Sequence, residues 1–151
     1  MEEILIAVLN RIEEKVAGLS LIDEDCGQID LLDSEQDCYP VTFPCVLAGI
    51  TGVEWTDIGL GVQKGDAQMT VKLAIDCYDD THIGSGTTEK ICERQQVSNE
   101  VYRALHGFRV NKYMSPILRV KSRDYTLPGN VKVYEKTFGF HYHDESAKVT
   151  K

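Results

Sequence analysis

The sequence predicts an α+β fold: a mainly antiparallel sheet of about five strands, with two helices packed on one face. Residues 66–78 alternate apolar and polar side chains throughout, as a strand with one buried face does. Residues 1–19 and 87–107 repeat apolar residues every three or four positions, as amphipathic helices do. Short turns separate the remaining apolar stretches, which favours antiparallel neighbours.

The chain of 151 residues is long enough for one domain, which we expect over residues 1–143, with a polar tail at 144–151 that frays. No run of 18 apolar residues occurs, so no membrane span is predicted. The chain begins with Met-Glu-Glu where a signal peptide would be basic, so we expect it in the cytoplasm when it is made. Five cysteines, an odd number without a C-x-x-C pair, favour reduced thiols over a zinc site.

Charge is distributed unevenly along the chain. The net charge is −8, and the first 40 residues hold eleven acidic and only two basic side chains, so the remainder is nearly neutral. Binding to a phosphate backbone requires clustered lysine and arginine. The composition therefore argues against a free DNA-binding protein.

The first half of the chain predicts one helix and three long strands. The helix over 1–19 has an apolar stripe, and glutamates in its first turn suit the helix dipole. Residues 20–40 predict an acidic surface connection with a short strand at 28–32. A strand at 41–50 must begin late or lie at an edge because of Pro44. A turn at Thr51-Gly52 leads to a strand at 53–63, with a bulge where the apolar parity switches after Trp55. The predicted stripe of the first helix is Ile4, Leu5, Val8, Leu9, Ile12, Val16 and Leu19.

A hairpin turn is predicted at Lys64-Gly65-Asp66, which leads into the strand at 66–78. The second half then predicts a helix and a strand pair. The helix at 87–107 buries one stripe and ends at Gly107, a favourable C-cap residue. Strands are predicted at 117–127 and 131–142, joined by a Pro-Gly-Asn turn. The predicted buried residues of the helix are Ile91, Ser98, Val101, Tyr102 and Leu105, and those of the last strand are Tyr134, Phe138, Phe140 and Tyr142.

Three groupings of polar residues are candidate catalytic or metal sites. Calcium loops starting at Asp23 or Asp33 lack the glycine that an EF-hand needs at its sixth position. His141-x-His143 places two imidazoles on one strand face, but no further ligand beyond Asp144 is evident, so a solvent-facing strand end is expected. The last grouping, Asp76, Asp79, Asp80 and His82, is either a metal-dependent hydrolase site or ordinary turn chemistry, which we favour.

A row of cations gives the more informative hypothesis. Arg119, Lys121 and Arg123 alternate along one predicted strand, on one face, whereas acidic residues gather in 20–40. Either this is a solvated sheet face, or the basic face of one subunit meets the acidic segment of a neighbour and fixes their orientation. The candidate interface residues are Arg119, Lys121, Arg123, Asp23, Glu24 and Asp25.

The order of these stretches resembles that of the tail terminator, or tail completion, proteins of long-tailed bacteriophages, the family that includes minor tail protein U. The resemblance covers most of the chain, and neither the acidic stretch nor the loop 109–116 has a clear counterpart. It rests on a helix and an acidic connection followed by YPVTFPCVLAGI, VEWTDIGLGVQ, AQMTVKLAIDCY, TTEKICERQQVSNEVYRALHG, ILRVKSRDYTL and NVKVYEKTFGFHY.

This resemblance implies a structural virion assembly protein, not an enzyme, without metal or cofactor. Such proteins form a ring, typically a hexamer, that caps the tail tube and offers a joining surface to the head. The implied partners are further copies, the tail tube protein and the head-tail connector protein, with DNA only passing through the lumen. The implied location is the virion tail or neck, after assembly in the host cytoplasm. The alternatives are another neck or head-completion protein, or a small metal-dependent hydrolase or nuclease.

Overall fold

The computed structural model describes residues 1–31, 41–77, 82–86 and 88–149. Within these ranges one five-stranded sheet has the order β1-β2-β3-β5-β4. Neighbouring strands are antiparallel, except that β1 runs parallel to β2. The predicted α+β class is therefore confirmed. The elements are α1 (Glu2–Lys15), β1 (Leu21–Glu24), a 3-10 turn (Ile29–Leu31), β2 (Cys45–Gly59), β3 (Val62–Asp76), α2 (Glu89–Leu105), β4 (Leu118–Leu127) and β5 (Val131–Asp144).

Both helices pack on one side of the sheet, which we call the helix face. The four-residue spacing of Ile4, Val8 and Ile12 places all three in the core, each fully buried. The Nε–H of Arg11 joins the two helices by donating to the Ala104 carbonyl at 3.0 Å. On the sheet side the same core contains Val46, Ala48, Met69, Val71, Leu73, Tyr134, Phe138 and Phe140.

The predicted helix bounds and stripes need small corrections. The first helix ends at Lys15, because Val16 already has extended backbone angles. In α2, Ser98, Val101 and Leu105 are buried as predicted, but Ile91 is 47% exposed. The reason is that the buried part of α2 begins only at Ser98, so the first two turns carry no core side chain.

The opposite side of the sheet, the outer face, carries a second and smaller core. Ile29 lies there beneath the sheet, among residues of all four long strands. The strand predicted at 28–32 is wrong: the short strand is β1, and residues 29–31 form the 3-10 turn. The Gln28 side chain tightens the chain between them by accepting from the Cys26 N–H at 2.7 Å and donating to the Glu24 carbonyl at 2.9 Å. The sheet residues of this core are Cys45, Leu47, Ala74, Val131 and Val133.

Strand β2 is continuous through the predicted turn at Thr51-Gly52, which is wrong. The register shifts by one residue between Ile50 and Gly52, so Thr51 is the extra residue of a bulge. A second shift between Asp57 and Gly59 confirms the change of parity predicted after Trp55. These two bulges bend β2 without ending it.

The hairpin turn between β2 and β3 lies at residues 59–61, not at the predicted 64–66. Leu60 takes a positive φ of 56°, flanked by two glycines at positive φ, which is a backbone that glycine adopts most easily. Gly65 is instead a strand residue opposite Trp55. A Cβ on Gly65 would lie 2.7 Å from Cζ3 of Trp55, so this glycine makes room for the indole ring.

Residues 145–149, which follow β5, pack on that hairpin turn. Strand β5 extends to Asp144, and the N–H of Val149 donates to the Leu60 carbonyl at 2.7 Å. The described part of the tail therefore contacts the domain, where the sequence predicted fraying. Neither helix of the described residues is long and apolar enough to cross a membrane.

Candidate subunit interface at the two edges of the sheet

The predicted acidic interface residues lie on and beside one edge of the sheet. Asp23 and Glu24 belong to β1, the edge strand, and both are exposed. The Asp23 carboxylate accepts the N–H of Glu24 at 2.8 Å. Because β4 is the strand at the other edge, the acidic and basic candidates are separated by the full width of the sheet. The two groups therefore cannot pair within one subunit.

Asp25 differs from its two neighbours because it already has a partner in its own chain. Its Oδ2 lies 3.1 Å from Nζ of Lys72, and both side chains are only 15% exposed. Burial lowers the pKa of Lys72, but the hydrogen bond and charge of Asp25, with the charge of Asp30, outweigh it and raise that pKa overall. Asp25 therefore ties the acidic segment to the sheet and is not a free interface residue.

The same edge continues beyond β1 along the far half of β2, which sequence reasoning missed. Strand β1 pairs only with Cys45–Ala48, and β2 then extends eleven residues further, to Gly59. Among the described residues no strand pairs with that outer edge. It carries Glu54 and Asp57, both exposed, and two exposed apolar side chains, Trp55 and Ile58. The signal was present in the sequence as a stretch containing acidic and apolar residues but no lysine or proline.

The basic candidates lie on β4, at the opposite edge, but they do not share one face. Arg119 pairs with Phe138 and Lys121 pairs with Thr137, so Val120 is an extra residue in a bulge. Because Phe138 faces the helices, Arg119 lies on the helix face, while Lys121 and Arg123 lie on the outer face. The predicted single row of three cations is therefore wrong. A one-residue bulge reverses every side chain that precedes it, and alternation alone does not reveal it.

Arg119 is held by α2. Its guanidinium lies 3.8 Å from the centre of the Tyr102 ring. Its backbone N–H donates to Nδ1 of His106 at 3.1 Å. This ties the start of β4 to the last turn of α2. The backbone N–H of Arg119 is consequently not free to pair with another strand.

Lys121 and Arg123 provide the outward positive charge of this edge. Arg123 lies 3.3 Å from Glu135 on the neighbouring strand but keeps 60% of its side chain exposed. Lys121 is exposed and makes no ion pair within the described residues. Exposed pairs contribute only about 0–1 kcal/mol, so both cations remain available to a partner. Leu118 and Val120, 49% and 61% exposed, add apolar surface beside them.

The three candidate groupings do not form a metal site within the described residues. Asp76 is exposed at the end of β3, whereas Asp79 and Asp80 lie outside the described residues. His141 and His143 are both exposed on the outer face, and Nδ1 of His141 lies 3.7 Å from Asp66. No group of three or more His, Cys, Asp or Glu side chains in the described ranges has metal-binding geometry.

Among the described residues, the Ser98 hydroxyl and the Cys26 and Cys45 thiols are poorly placed to attack a substrate. Ser98 accepts a short hydrogen bond from Nζ of Lys136, as in a serine–lysine pair, yet the two residues are 2% and 5% exposed. A substrate therefore has no access to this pair. Burial raises the pKa of the Cys45 thiol to about 11, and partial desolvation with neighbouring acids raises that of Cys26. Both thiols are thereby kept protonated and poorly nucleophilic.

Comparison with known proteins gives little beyond this geometry. No protein-family model matches the chain, and no curated protein matches it. Among solved structures, a chain from a structure described as the virion of a native gene transfer agent particle is similar. The TM-score is 0.49 at 9% identity, over 91% of this chain and 92% of that chain. A likeness of this degree assigns no function.

Proposed function

We propose that this chain is a structural virion assembly protein, not an enzyme, that caps a phage tail tube as a ring of identical subunits. The element order that resembles the tail terminators, a helix, strands, a helix and two strands, recurs in the fold. The observation that carries the proposal is the placement of opposite charges on opposite edges of one sheet. The edge formed by β1 and the far half of β2 carries exposed acids, whereas the β4 edge carries Lys121 and Arg123. A surface that is complementary to a different surface of the same molecule supports head-to-tail contacts, and these form a ring when the rotation between neighbours closes.

In this proposal the ring, a hexamer, sits on the head-proximal end of the tail tube. It binds the tail tube protein on one side and the head-tail connector protein on the other. Electrostatic complementarity between neighbours fixes their orientation more than it adds affinity. The net charge of −8 suits a lumen through which DNA passes without adhering. The protein is then a component of the virion neck.

Charge reversal on the basic edge tests the proposal. Lys121→Glu and Arg123→Glu together place like charges at the contact, so we expect loss of rings in electron micrographs and uncapped, overlong tubes when the tube protein is present. The control reverses one cation more, with Lys15→Glu, Lys90→Glu and Arg103→Glu at exposed or half-buried positions on the helices. The control should form rings normally. Rings and capped tubes from the β4 variant would contradict the proposal.

A further inference from the structure

The far half of β2 is an edge strand that no other described strand pairs with on its outer side. Its outer edge offers backbone N–H and C=O groups that no described strand uses, over residues 49–59. Natural edge strands are usually protected by lysine, proline or a covering segment. This stretch contains neither residue type, and most of its side chains are exposed. Within the described ranges this edge is unprotected, and that exposure needs a physical explanation.

We propose that the outer edge of β2 at residues 52–56 pairs through its main chain with β4 of a second copy of this chain. Sheets of neighbouring subunits then continue into one another. For its closed ring this inference rests on the proposed function, but the pairing itself is a separate claim and is measured separately.

The bulges define which residues can pair. Thr51 and Ile58 are the extra residues of the two irregularities in β2, so 52–57 is the regular stretch between them. On the partner strand the N–H of Arg119 is already bound to His106, and Val120 is in the bulge. The regular stretch of β4 therefore begins at Lys121. Keeping each face on its own side pairs residues 52–56 with 121–125, and this register sets Glu54 opposite Arg123, both on the outer face.

Strand direction is also compatible. In the sheet, β2 and β5 run one way, and β3 and β4 run the other. A neighbour in the same orientation beside β2 therefore presents β4 antiparallel to it. The helix faces of both copies then stay on the same side of the combined sheet, so the contact can repeat around a ring.

Charge selects this pairing against the alternatives. Two copies of β2 would bring Glu54 and Asp57 against their own equivalents, and two copies of β4 would do the same with Lys121 and Arg123. Only β2 against β4 places opposite charges together, because Glu54 lies on the outer face with Lys121 and Arg123. Asp57 lies on the helix face and adds negative charge to the same edge. Trp55 and Ile58 on one edge and Leu118 and Val120 on the other add apolar area. The occupant that fits is another copy of the chain.

A charge-swap experiment tests the pairing of edges. Glu54→Lys with Asp57→Lys makes both edges basic, and Lys121→Glu with Arg123→Glu makes both edges acidic. Each variant alone should associate at least about tenfold more weakly than wild type by sedimentation velocity, since about 1.4 kcal/mol corresponds to tenfold. An equimolar mixture should recover association, because every junction again joins opposite charges. Glu13→Lys with Glu14→Lys, on the exposed side of α1, is the control and should associate as wild type.

Hydrogen exchange tests the main-chain part on the wild-type protein. The amides in 52–56 and 121–125 that point to the free edges, every second residue, should exchange at least about tenfold more slowly in the assembly than in dilute protomers. Amides in the turn at 59–61 should not change. A chain that stays monomeric, a mixture that does not recover, or an assembly without this protection overturns the inference. Rings that cap tubes without the protection would overturn only the strand pairing, and protected assemblies that fail to cap tubes would overturn only the proposed function.

Discussion

A lysine ammonium is strongly hydrated in water, yet Lys136 is 5% exposed between β5 and α2. Among the described residues its hydrogen-bond partner is the Ser98 hydroxyl, and it has no carboxylate within ion-pair distance. Burial lowers the pKa of Lys136, with the charge of Asp124 opposing that effect. The residue therefore costs stability at neutral pH.

Removing this lysine should raise stability. For Lys136→Met with Ser98→Ala we expect a gain of about 1 kcal/mol at pH 7, because replacing a buried charge by an apolar side chain of similar volume is often stabilising. From pH 7 to 9.5 the gain from the double substitution should shrink, since the lowered pKa of Lys136 adds a rise in stability with pH to the wild type alone. The raised pKa of Cys45 lowers stability over the same range, but it does so in both proteins and cancels in their difference. Urea unfolding of both proteins at both pH values measures this.

The double variant should lack that contribution from Lys136. Lys64→Met, at an exposed position on β3, is the control and should change stability by less than about 0.5 kcal/mol. A double variant that is several kcal/mol less stable than wild type would contradict the interpretation that Lys136 destabilises the fold.

The position of Lys136 could not be predicted from its residue type. The sequence predicts the last strand from the spacing of Tyr134, Phe138 and Phe140, and all three lie in the core as expected. Strict alternation places Lys136 on the same face, but a charge in an apolar row normally points to solvent at a strand end or edge. Only the packing of α2, which brings Ser98 to the ammonium, makes the buried position tolerable.

At the scale of elements, the β2–β3 hairpin is the largest departure from the predicted fold. Five glycines lie in it, and the sequence alone does not distinguish a turn glycine from a strand glycine. Gly59 and Gly61 have positive φ and form the turn, whereas Gly49, Gly52 and Gly65 are strand residues. The position predicted for the turn, Gly65, is required for a steric reason, because Trp55 crosses the strand there.

This explanation predicts a local effect of a small substitution. Gly65→Ala should destabilise the protein by about 1–3 kcal/mol, because the new Cβ would overlap Trp55 and Val53 and force them to move. The fluorescence of Trp55, the only tryptophan, should shift to the red as the indole leaves the sheet. Gly52→Ala is the control, since a Cβ at that position meets nothing within 4 Å. Equal stability and unchanged emission in the Gly65 variant would show that Trp55 does not lie across that glycine.

At the scale of the whole molecule, the acidic and basic residues form a dipolar arrangement across the sheet. The sequence revealed that acids concentrate in the first 40 residues, and it identified Lys121 and Arg123. It did not reveal that the two groups lie at opposite edges, because that depends on β1. This strand has four residues, and its parallel pairing with β2 joins positions 24 residues apart. No local pattern encodes such a pairing, so the sequence predicts only a surface connection for the acidic segment.

Charge-directed association should respond to salt. Raising the ionic strength from 0.05 to 0.5 M shortens the screening length to roughly 4–5 Å, so contacts between exposed charges weaken. We expect the apparent association constant to fall about tenfold or more, as measured by sedimentation equilibrium. The variant with three reversed helix cations should show the same slope as wild type. Association that strengthens with salt would indicate that Trp55 and Leu118, not the charges, drive the contact.

The bulge at Thr51 also governs how this sheet tolerates changes in length. Deleting Thr51 would leave a regular ladder with every backbone bond available, yet all side chains from Gly52 onward would exchange sides. Trp55 would then point away from Gly65, and Glu54 would point toward the helices. Homologous chains that lose or gain one residue here should therefore show a compensating insertion or deletion before Gly59, so that gaps in this hairpin come in pairs.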